Sequence, residues 1–163
     1  MHHFHLFKKL LANQTSFRIF LLTKLPVAFF CGLRLVRINE QDAAISVRYG
    51  WFNTNPFRSM YFAVLSMAGE VSTGVLAMGY LYKRNPSVSM LLVKTEGEFY
   101  KKAVGKIVFT CKDGEALNAA IENAVATGVA TNCSCKTEGL NEAGEVVASF
   151  VFTWSFKARS KKS

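Results

Sequence analysis

Between Ser59 and Tyr82 the chain reads SMYFAVLSMAGEVSTGVLAMGYLY, and Glu70 is the only Asp, Glu, Lys, Arg or His in that run. Arg58 and Lys83 bound it. A carboxylate taken out of water without a partner costs several kcal/mol or neutralises through a raised pKa. Two roles suit such a group: acid–base or nucleophilic chemistry, or a structural ion pair with an arginine from elsewhere. The run alone leaves both open. Other chemistry-bearing residues are badly placed for a core site. His2, His3 and His5 all lie at the extreme N-terminus, which suits neither a metal nor His-dependent catalysis. Cys31, Cys111, Cys133 and Cys135 lack CxxC spacing and read as free, buried thiols. Cys133 and Cys135 share one face of a strand-like run and would resist bridging each other. No metal site is expected.

The elements around Glu70 must hide its apolar surroundings. The run is long enough to span a bilayer, but Gly69, Gly74, Gly79, Ser66, Ser72 and Thr73 dilute it. No second span could pair a midplane carboxylate. It reads as a core helix from Ser59 to Tyr82, not an integral membrane span. Near the C-terminus, Phe150, Phe152, Trp154 and Phe156 alternate with Ser149, Val151, Thr153 and Ser155, so a strand presents one aromatic face to that helix. Its span, Val146 to Lys157, pairs with Ala130 to Thr137 across the turn Asn141 to Gly144. Further strands are expected at Val88 to Lys94 and Lys106 to Lys112, and a second helix at Glu115 to Ala126, ended by Gly128. Upstream, strands are expected from Pro26 onward: Leu33 and Leu35 precede the polar turn Asn39 to Asp42, then Ile45, Val47 and Tyr49 alternate with polar or small residues. Asn55-Pro56 delivers the chain to the long helix and Asn85-Pro86 stops it. Residues 1–25 read as an amphipathic helical segment rather than a signal peptide. With no repeat and no linker, residues 1–163 are expected to form a single domain ending in a basic tail, 157–163.

The fold class is therefore α+β, a curved antiparallel sheet wrapped around one apolar helix. A small sheet cannot cover such a helix and also hide its own edges, so a homodimer extending the sheet is expected, with a tetramer left open. Half of the 163 residues are hydrophobic, which marks a well-cored chain. The net charge of +9 favours anionic partners: nucleic acid, acidic lipid, a nucleotide-bearing cofactor or an acidic carrier protein. The charge chooses among none of them. Nucleic acid is disfavoured because the aromatics fall on the presumed buried face. Free thiols point to a cytoplasmic setting.

At this point the order of elements and the residues around Glu70 resemble the hotdog fold and its acyl-CoA thioesterases. Thioesterases of the phenylacetyl-CoA type carry Asn, five residues, His-Gly-Gly at the start of the central helix, an acid nine residues after the His, and Gly four beyond it. This chain has Asn55, Tyr61-Phe62-Ala63, Glu70 and Gly74 at those spacings. It departs in replacing His-Gly-Gly. The strings NPFRSMYFAVLSMAGEVSTG, KLPVAFFCGLRL and KKAVGKIVFTC are also similar to a branch catalogued as a domain of unknown function within these thioesterases. The resemblance implies a thioester hydrolase acting on acyl-CoA or acyl-carrier thioesters, with coenzyme A as part of the substrate and no other cofactor. It implies that the Phe62 backbone N–H polarises the carbonyl, that Glu70 activates water or attacks, and that Asn55 orients water or substrate. Ala63 would border the substrate, and Tyr61 either borders it too, with its hydroxyl in place of the imidazole, or packs as a core aromatic. Gly74 makes room for a ligand or for close helix–sheet packing, and Arg58 meets a coenzyme A phosphate, an acid or solvent. The other reading on this fold is a non-catalytic dimer that binds acyl chains or acyl-CoA.

Overall fold

The computed structural model describes residues 3–11 and 13–159. His2 and the end of the basic tail, 160–163, lie outside the described residues. Three helices come first: α1 (Phe4–Leu10), α2 (Gln14–Lys24) and α3 (Pro26–Phe30). The expected single amphipathic segment is divided, because Asn13 caps α2 by accepting the Ser16 N–H at 2.7 Å. The expectation of strand from Pro26 is also corrected. Pro26 occupies the first turn of α3, where its missing N–H loses nothing, and the Phe29 N–H reaches the Leu25 carbonyl at 3.1 Å.

The remaining elements are β1 (Arg34–Ile38), β2 (Ala43–Arg48), a 3₁₀ turn (Trp51–Asn53), α4 (Phe62–Leu81), β3 (Val88–Phe99), β4 (Lys106–Cys111), α5 (Gly114–Thr127), β5 (Thr131–Leu140) and β6 (Val146–Ala158). The strands form one six-stranded antiparallel sheet in the order β1-β2-β4-β5-β6-β3. It curls around α4, which packs chiefly on β2, β4, β5 and β6. Among the described residues α4 is the one helix long and apolar enough to cross a membrane, and it is buried along most of its length as the core helix. The inward aromatic face of β6 covers it as its alternation requires: Phe150, Phe152, Trp154 and Phe156 are all buried.

Two boundaries differ from the sequence reading for physical reasons. The long helix starts at Phe62 rather than Ser59, because the Met60 N–H donates to the Ala103 carbonyl at 2.8 Å and Met60 bridges Thr54. These contacts hold residues 59–61 extended. Strand β3 runs five residues beyond Lys94, pairing with β6 up to Phe99–Ala148 through a bulge at Val93. It is an edge strand, exposed along most of its second half, so Thr95 to Glu98 carry no buried-face signal. The four cysteines are free, and Cys133 and Cys135 lie side by side with Sγ atoms 3.9 Å apart.

Candidate active site

The turn before α4 is built around Asn55. Its Oδ1 accepts the N–H groups of Phe57 (2.9 Å) and Ser59 (3.2 Å), while its Nδ2 donates to Ser59 Oγ (3.1 Å) and the Met60 carbonyl (3.3 Å). Asn55 thus fixes the approach to the helix, and its amide is committed within the turn. Arg58 adopts a left-handed φ of 58° there and is exposed. Tyr61, the residue before the first helical turn, donates its N–H to the Asn53 carbonyl at 2.7 Å and accepts those of Val64 and Leu65. The N–H groups of Phe62 and Ala63 have no acceptor among the described residues. They are the free donors at the positive end of a twenty-residue helix.

These donors border a cleft of about 550 Å³ lined by Asn55, Phe57, Tyr61, Phe62, Phe99 and Tyr100 together with Lys101 and Lys102. Phe62 is about half exposed and meets Phe99 edge-on with ring centres 6.2 Å apart. Ala63 is half-buried beside it, and Arg58 does not line the cleft.

Glu70 and Gly74 stand apart from that cleft. Phe62 to Glu70 is a rise of roughly 12 Å along the helix. The Glu70 side chain is half-buried, and its carboxylate has no cation and no hydrogen-bond donor among the described residues. The structural ion pair that the sequence left open is therefore not formed among the described residues. Burial pushes the carboxyl up to about 7. Gly74, one turn on, leaves room beside the carboxylate: a Cβ at Gly74 would come 3.3 Å from Glu70 Oε1 and 3.7 Å from the Trp154 ring. Gly69 behaves differently, since its Cβ would press on Phe150, Thr137 and Phe152 at 3.1–3.2 Å, so it serves close helix–sheet packing.

Sequence reasoning missed the contacts behind Glu70. Trp154 Nε1 donates to Thr73 Oγ1 at 2.9 Å, and that hydroxyl donates to the Glu70 carbonyl at 2.9 Å. The indole is held against Gly74 by this bond. Lys101 and Lys102 were missed as well, because they reach the helix start only once β3 has run its full length. Half-buried Ala63, Ser66, Met67 and Glu70 recur at helical spacing, so α4 keeps one partly open stripe linking the cleft to the carboxylate. Elsewhere, Cys111, Asp113 and Cys135 bring two thiols and a carboxylate within 4.8 Å of one another, with Asp113 already accepting the Lys136 N–H at 2.7 Å.

The sheet order, the swallowed central helix and the open helix start define a hotdog fold, and comparison with solved structures agrees. A "probable thioesterase" of unknown function from Pseudomonas aeruginosa superposes with a TM-score of 0.74 at 22% identity, covering 90% of this chain and 97% of that one. A protein of unknown function from Chlorobaculum tepidum gives 0.76 at 14% identity, covering 89% and 94%. A thioesterase from Haemophilus influenzae gives 0.63 at 9% identity, covering 90% and 91%. No family model and no curated protein matches the sequence.

Proposed function

We propose that the protein is a thioesterase acting on acyl-CoA or acyl-carrier thioesters as a homodimer, with each site composed from both subunits. The observation that carries this reading is Glu70, a carboxylate with no cation partner among the described residues, whose burial raises its pKa to about 7. A base poised near neutrality is what proton removal from water at neutral pH favours. In the proposed reaction Glu70 takes a proton from water, and the oxygen forms its bond to the thioester carbonyl carbon. The oxyanion is met by the partner's Phe62 N–H, where the helix dipole assists. The C–S bond then breaks, and the thiolate recovers the proton from Glu70. Asn55 is a positioning residue that holds the helix start. Tyr61 and Ala63 border the carbonyl, and the aromatic cleft receives part of the substrate. Lys101, Lys102 and Arg58 offer positive charge to the phosphates of coenzyme A or to an acidic carrier.

The dimer reading rests on β3. This strand is one of the two edges of the sheet, exposed along its second half, and α4 does not reach far enough to cover it. Pairing of two β3 edges would satisfy their open backbone groups and bring two α4 helices side by side. Sedimentation at micromolar concentration is expected to give a dimer. A monomeric wild type would rule the arrangement out.

The direct test is a panel of acyl-CoA and acyl-carrier thioesters. Release of free thiol and free acid supports the hydrolase. Recovery of intact, bound thioester without thiol release supports the non-catalytic acyl-binding dimer. Gly74→Ala supplies a finer check. The added methyl further desolvates Glu70, so the acidic limb of the kcat/KM profile, expected near pH 7 in the wild type, should move upward. An unmoved limb would separate that titration from Glu70.

A further inference from the structure

A group of exposed rings outside the lining of the cleft lies on α3 and the Trp51–Asn53 turn. Trp51 is 84% exposed, Phe52 65% and Phe30 56%, with Val27 at 63% beside them. They form a connected crest: Phe30 and Phe52 lie nearly parallel with centres 6.2 Å apart, and Trp51 meets Phe52 edge-on at 5.1 Å. The crest is held firmly. Asn53, only 3% exposed, accepts the Gly50 N–H at 2.9 Å and donates to the carbonyls of Arg48 (2.9 Å) and Cys31 (3.3 Å). One buried amide thus ties the Trp51–Phe52 turn to the end of α3 and fixes both rings outward. Apolar surface of this size, rigidly presented, marks an interaction site.

Its surroundings are predominantly basic. Residues 1–39 hold Lys8, Lys9, Arg18, Lys24, Arg34 and Arg37 without an acid and residues 43–69 add Arg48 and Arg58, while of the acids between them Asp42 pairs with Arg37 at 2.8 Å. Next to the crest is a depression of about 700 Å³ whose lining includes Arg34, Arg48 and Lys106 and no carboxylate. Arg48 does reach Glu142 at 3.2 Å, but both are exposed and such a pair contributes little. A second copy of the chain would bring the same positive charge against this face.

We infer that this face docks the protein on an anionic lipid bilayer, with Trp51, Phe52, Phe30 and Val27 entering the interface and the Arg34–Arg48–Lys106 depression facing lipid phosphates. An apolar crest ringed by cations matches the chemistry of that surface, where Trp favours the headgroup level and each nearby Lys or Arg adds attraction. The inference does not rest on thioester chemistry, so it stands or falls separately from the proposed function.

The full chain is mixed with vesicles of phosphatidylcholine containing about one third phosphatidylglycerol, and with pure phosphatidylcholine vesicles. Co-sedimentation with the anionic vesicles is expected, weakening as salt rises. Trp51 is its own reporter, since the only other tryptophan, Trp154, is buried. Its emission should shift to the blue on binding, and Trp51→Phe should abolish the shift. Trp51→Ser with Phe52→Ser should lower partitioning about tenfold or more, and Arg34→Glu should weaken binding to anionic vesicles alone. Either of two results overturns the proposal: the double serine variant sedimenting with vesicles like the wild type, or no binding and no emission shift with anionic lipid. A vesicle-free change of oligomeric state in the double variant, or an emission shift only with an acidic protein, assigns the crest to that partner and overturns it equally.

Discussion

Glu70→Gln is expected to lower thioester hydrolysis by about 10² or more while making the folded protein more stable at pH 8. The direction follows from the raised carboxyl. Its ordinary value is 4.5, and burial in the fold moves it to about 7. The folded chain therefore binds this proton more tightly than the unfolded chain. The resulting stabilisation is fully present below pH 4.5, declines as the pH rises, and is gone once the pH passes about 7. Over that window the shift is worth on the order of 3 kcal/mol. Glutamine never ionises, so the variant escapes the decline. Thermal unfolding of both proteins at pH 4.5 and pH 8 reads the difference: the variant should gain on the wild type between the two. A variant that retains wild-type turnover removes Glu70 from the chemistry. A variant less stable at pH 8 means that a cation, supplied across the dimer, holds the carboxylate, and the structural ion pair replaces the base.

The same residue shows why parts of this molecule are legible in its sequence and others are not. Glu70 stands out because one charge in a long apolar run violates the pattern around it. The strand covering it is equally plain, since a sheet face buried on one side imposes alternation, and Phe150 to Phe156 alternate without a break. What pattern reading misses is joined through space. Thr73 and Trp154 lie 81 positions apart, and nothing local to either announces their hydrogen bond. The far half of β3 was missed because an exposed edge strand has no buried face to enforce alternation. Lys101 and Lys102 were lost from the site with it. Val27 to Phe30 carry β-branched and aromatic residues in a helix, because Pro26 and the Leu25 carbonyl decide the local geometry before side-chain preference does. At Asn55 the spacing identified a position that matters. The hydrogen bonds then assign its amide to holding the turn.

Chains carrying Glu70→Gln, mixed with chains carrying Ala63→Trp, are expected to regain activity that neither has alone. Phe62 and Glu70 are separated by roughly 12 Å on one straight helix, too far to act on the same carbonyl. If the thioester sits at the Phe62 N–H of one subunit, the carboxylate acting on it must come from the other, across two α4 helices brought side by side by β3 pairing. Ala63 is half-buried next to the free donors, so an indole there should fill the approach to the helix start and leave Glu70 untouched. A homodimer of either variant then has two broken sites. A mixed dimer has one site with both defects and one with neither. Random mixing makes half the dimers mixed, so activity should return to about a quarter of the wild-type value. The composite geometry fails if mixed dimers, verified by differential tagging, stay inactive. It also fails if Glu70→Gln chains poison wild-type partners completely rather than halving them, because a composite site leaves each wild-type carboxylate working on its neighbour's helix start.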